Sequence, residues 1–134
     1  MKLAATMKII VTIARLLLGV VFVVFGMNMY LHFIPMGPMP TGAAGEFSNA
    51  LASTHFIQVV AVFQVIPGLM LLFNRYVPLG LAVLAPVIFN ILLFHILMAP
   101  SGAPLAIIVA LLWMLVFHRN RSAFAGVFQR RTEL

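Results

Sequence analysis

The side chains of this 134-residue chain that could do chemistry are a guanidinium, carboxamides and imidazoles set in apolar surroundings: Arg15, Gln64, Asn90 and His95, with His32 and His55 in similar settings. Polar groups in such surroundings bond to one another, to freed backbone carbonyls, or to the oxygens of a ligand. What the chain lacks narrows the chemistry further. Cysteine is absent, which excludes disulfide exchange, thiolate metal sites and Cys-x-x-Cys redox motifs. Glu46 and Glu133 are the only acids, so there is no carboxylate pair for general acid–base work and no carboxylate-rich site for a hard cation. Any redox role must therefore use a bound cofactor or substrate.

The elements that must hold these residues are membrane spans. Hydrophobic residues make up 64% of the chain and charged residues 7%, against roughly 25% charged in soluble chains. Apolar runs of about 18 residues or more read as transmembrane helices, because about 20 residues at ~1.5 Å each cross a ~30 Å hydrocarbon core. Such runs cover about residues 9–33, 55–73, 77–98 and 103–118, the last gaining length if His118 and Arg119 snorkel. The expected fold is all-α, an integral membrane four-helix bundle in a single domain over 1–134. The first run is too long for the apolar region of a signal peptide and ends in Tyr-Leu-His-Phe rather than a small-x-small site, so it reads as a retained span.

Between the first and second spans, Pro35, Pro38 and Pro40 impose a loop, and Glu46 to Ser53 predicts a short interfacial helix with Phe47, Ala50 and Leu51 on one face. The formal charge of +6 concerns topology and leaves no extended nucleic-acid-binding surface. Lys2, Lys8, Arg75 and the C-terminal arginines fall at alternate ends of the spans, whereas the loops 34–54 and 99–104 contain neither Lys nor Arg. By the positive-inside rule both termini are expected in the cytoplasm. The basic tail, with Phe124, Val127 and Phe128 at helical spacing, is expected to lie against anionic headgroups.

Arg15, Gly19, Phe22 and Gly26 recur on one helical face, so Arg15 is predicted to face inward, either stapling helices or binding an anionic or carbonyl-bearing ligand; near the end of its span it could also snorkel. Gln64 and Gly68 flank Pro67, and Asn90 stands one turn after Pro86. Each proline frees a carbonyl, and a kink or local opening is expected there. Amides beside such breaks serve either as interhelical glue or as the lining of a ligand cavity. His32, His55 and His95 come from the outer ends of their spans, where they could hold a metal, relay protons to a quinone-like substrate, or simply sit at the interface; no close spacing enforces their convergence.

Together Arg15, Gly19 and Gly26, the second-span Gly68, the turn Asn74-Arg75-Tyr76-Val77-Pro78-Leu79, and Pro86, Asn90 and His95 form a pattern. On these residues, across essentially the whole chain, the sequence resembles the DoxX family of small four-helix bacterial membrane proteins. Gln64 departs from the pattern, since members often carry an acidic residue there. The resemblance implies a multi-pass protein of the bacterial inner membrane linked to quinone redox, as a subunit of thiosulfate oxidation, in quinone detoxification, or as a scaffold for oxidative-stress enzymes. The function expected from the residues and the resemblance together is a redox-associated subunit that binds a quinone or other lipophile between its helices, with Arg15, Gln64, Asn90 and His95 hydrogen-bonding its oxygens. Its partners would be the lipid bilayer, a membrane or peripheral redox protein, and a further copy in a homo-oligomer. The alternative is a non-catalytic scaffold or assembly factor, in which the same polar groups only fix helix packing and Asn90→Leu lowers thermal stability. A transporter is disfavoured by the absence of an inverted repeat or a ring of charges.

Overall fold

A computed structural model describes residues 1–133. The chain is all-helical, with no strand among the described residues: α1 spans Lys2–Leu31, α2 Gly42–Ser53, α3 Phe56–Leu72, α4 Val77–Leu97 and α5 Ala103–Asn120. A 3-10 turn at Pro100–Gly102 precedes α5, and a 3-10 stretch at Arg121–Phe128 follows it. Three segments, Lys2–Leu31, Val77–Leu97 and Pro100–Phe128, are long and apolar enough to cross a membrane, and the number reaches four if α2 and α3, bent by 84° at their junction, are taken as one broken span.

The helix ends differ from the apolar pattern for local reasons. Helix α1 continues back to Lys2 because residues of the basic tail such as Ala4, Ala5 and Met7 are good helix formers; the Thr6 and Thr12 hydroxyls bond the carbonyls of Lys2 and Lys8, at 2.9 and 2.8 Å. It stops at His32, whose left-handed backbone (φ 51°) caps the helix with its N–H on the Asn28 carbonyl. Asn28 then holds the departing chain. Its side chain is buried, with Oδ1 accepting from the Ile34 N–H at 2.7 Å and Nδ2 donating to the Ile34 carbonyl at 3.2 Å. Helix α2 starts at Gly42, earlier than the expected Glu46, and sets Phe47 against Phe94 of α4 with ring centroids 5.7 Å apart.

The long helices pack as a ring: α1 on α3, α3 on α4, α4 on α5, and α5 back on α1. The most extensive contact, α1 with α3, is a seam of small residues. A Cβ added to Gly19 would come within 2.9 Å of the Gly68 carbonyl and of Leu72, and one added to Gly68 within 2.8 Å of Val23. Further along, a Cβ on Gly26 would lie 2.6 Å from Val65 and 3.2 Å from the Ala61 carbonyl. Gly19 and Gly26, like Ala61 and Gly68 opposite them, are seven residues apart, so the antiparallel backbones touch at two levels. In a hydrocarbon surrounding, where the usual hydrophobic drive for association is absent, close backbone approach of this kind supplies dispersion in its place. Leu18, Leu71, Leu81, Leu84 and Val116 are fully buried inside the ring, with Phe22 and Ile88 beside them. The outward surface is a belt of exposed aliphatic and aromatic residues, as suits a lipid solvent.

Candidate functional site

Arg15 donates through Nη1 to the carbonyls of Leu71 and, at 3.5 Å, Leu72. These belong to the last turn of α3, where carbonyls lack partners within the helix. The chain satisfies part of that end by itself. Asn74 in the left-handed conformation (φ 53°) sends its N–H to the Leu71 carbonyl at 3.3 Å, and the Arg75 N–H reaches the Met70 carbonyl at 3.0 Å, the paired bonds of a Schellman motif. Arg15 completes the cap from another helix and sets its positive charge on the negative end of the α3 dipole. Its inward orientation and role as a staple agree with one of the readings its spacing allowed.

The other expected residues lie elsewhere. Asn90 is exposed on α4, and its Nδ2 bonds the carbonyl of Pro86 on the same helix at 2.8 Å. His95 closes the turn between α4 and α5: Nδ1 lies 3.2 Å from the Ala99 carbonyl, the ring meets Phe94 edge-on with centroids 5.1 Å apart, and it lies where a Cβ on Gly102 would have to go. Gln64 is the one residue of the set that is both buried, at 7% exposure, and without a hydrogen-bond partner for its amide among the described residues. It packs against Gly26. Arg15 reaches the last turn of α3, next to the start of α4 at Val77, whereas His95 lies in the last turn of α4, about 27 Å from Val77 at ~1.5 Å per residue. The four residues therefore do not converge on one ligand between the helices. Nor do the histidines: His32 and His55 occupy exposed left-handed positions at helix junctions, and no group of three His, Cys, Asp or Glu side chains able to hold a metal occurs among the described residues.

Two polar contacts escape sequence reasoning. The Trp113 indole of α5 donates to the Leu81 carbonyl of α4 at 2.9 Å, next to the Ala82 carbonyl that Pro86 deprives of its donor. Helices α3 and α4 run continuously through Pro67 and Pro86, so at the second break the neighbouring helix supplies a bond close to the lost one. The Tyr30 hydroxyl donates to the Gln58 carbonyl at 2.6 Å, while the buried Gln58 Oε1 has no partner. At the C-terminal end of α3, a shallow and open surface depression of about 380 Å³ lies over Ile66, Leu69, Met70 and Phe73 of one helix face, with Arg75 and Tyr76 at its edge. No family model, curated protein or solved structure matches the chain, so the resemblance to the DoxX family rests on the motif residues named above.

Proposed function

We propose that this chain is a DoxX-like multi-pass protein of the bacterial inner membrane, a four-helix bundle with both termini in the cytoplasm, that serves as a non-catalytic scaffold or assembly subunit for a redox-associated partner. One observation carries this reading: Arg15, Asn90 and His95, the groups best suited to contact a substrate, each bond a backbone carbonyl of the chain itself. Purification in mild detergent tests it. A scaffold brings down a stoichiometric membrane or peripheral partner, and its organic extract contains only bulk phospholipid by mass spectrometry.

A second reading, a subunit that binds a quinone or other lipophile, is favoured by the depression at the C-terminal end of α3. A lipophile with an anionic or carbonyl head fits an apolar surface that ends in a guanidinium and a phenol. Stoichiometric quinone in the same extract, lost in Arg75→Gln, would place this reading first.

A further inference from the structure

The face of α4 turned away from the ring carries a polar group at a depth where lipid would surround it. Leu79, Pro86, Asn90, Leu93 and Leu97 are exposed and Val83 between them is half-buried, and their spacing alternates between four and three residues, the seam of a left-handed helix pair. Such a stripe without a polar member would simply face lipid. Asn90 lies on it beside Pro86 and Leu93, about 20 Å from Val77 and about 10 Å from Leu97 at ~1.5 Å per residue. One of its amide hydrogens goes to the Pro86 carbonyl; the other, and Oδ1, have no partner among the described residues. Polar side chains at this depth turn to protein or to water-filled cavities rather than to lipid.

We propose that α4 pairs with α4 of a second copy of this chain, Asn90 against Asn90, about a two-fold axis along the membrane normal. Two copies inserted in the same orientation present α4 to itself in parallel. A carboxamide is both donor and acceptor, so two of them satisfy each other reciprocally, as a single Asn does within a parallel coiled coil. The seam contains no charged residue to repel its own copy, and the small Ala82, about two turns before Asn90 and flanking the seam, helps the backbones to approach. The inference rests on α4 crossing the membrane, and on neither the scaffold nor the ligand reading.

The absence of native cysteine makes the test clean. In native membranes treated with a mild oxidant, Leu93→Cys and Leu97→Cys are expected to form covalent dimers, whereas Ile107→Cys on the exposed face of α5 does not. Adding Asn90→Leu to Leu93→Cys should weaken dimerisation about three- to thirtyfold, the equivalent of ~0.6–2 kcal/mol for an interhelical hydrogen bond in a membrane. Equal cross-linking at Ile107→Cys, no cross-link at either α4 position, or a dimer indifferent to Asn90→Leu overturns the pairing. So does native mass spectrometry that finds a monomer whose bound lipophile disappears in Asn90→Leu. Release of the chain from membranes by carbonate washing would instead overturn the span itself.

Discussion

Arg15 and Trp113 perform related tasks on different helices, each reaching a carbonyl of a neighbour, Arg15 at the open end of α3 and Trp113 one residue from the carbonyl that Pro86 leaves without its donor. Trp113→Phe keeps an aromatic ring against Phe117, where the centroids are 4.9 Å apart, and removes the donor together with part of the indole's packing. It should cost about 1–2 kcal/mol and lower the melting temperature in detergent, and a melting curve identical to wild type would show that the bond contributes nothing. Asn90→Leu, in contrast, should leave the melting temperature of the monomer unchanged, because Asn90 bonds only its own helix; the fall expected under the packing role does not apply to an exposed side chain. The sequence made Arg15 legible because Gly19, Phe22 and Gly26 mark which face of α1 is inward. Asn90 had no such marker. Helix α4 is apolar nearly all round, so no amphipathic phase tells which way a lone amide points. Trp113 was equally illegible, since its acceptor is set by the register of α4 against α5.

At the scale of elements, the long helices were readable from hydropathy because membrane length and composition dictate them, whereas their ends follow local chemistry that hydropathy does not see. The start of α1 at Lys2 and of α2 at Gly42 are of this kind. The seam between α1 and α3 was half legible: the glycines of α1 announced a close neighbour, but only the folded chain shows that Ala61 and Gly68 meet them. Gly68→Val is expected to force these helices apart and cost about 1–3 kcal/mol, since even its Cβ would come within 2.8 Å of Val23. Gly126→Val, in the 3-10 stretch, meets nothing within 4 Å and serves as the control. Thermal melts of the two variants side by side check this, and equal melting temperatures would mean the seam is not tightly packed.

For the whole molecule, the charge asymmetry predicts which loops face the outside of the cell. A single thiol introduced by Met36→Cys, in the loop without Lys or Arg, should react with a membrane-impermeant maleimide applied from outside the cell, whereas Arg75→Cys should react only after permeabilisation. The reverse pattern would invert the topology. The lengths of the helices carry a separate consequence for the lipid. At ~1.5 Å per residue the apolar part of α1 from Ile9 to Leu31 extends about 35 Å and α3 about 25 Å, yet the bond from Arg15 to the last turn of α3 and the glycine contacts hold the two in fixed register. The molecule cannot slide one helix past the other to suit the bilayer, so the mismatch is passed outward. If α3 crosses the bilayer beside α1, the lipids on its side are expected to thin to its shorter length, and the molecule would make a one-sided dent in the membrane. Elastic strain of that kind relaxes in thinner bilayers, or when two dents merge.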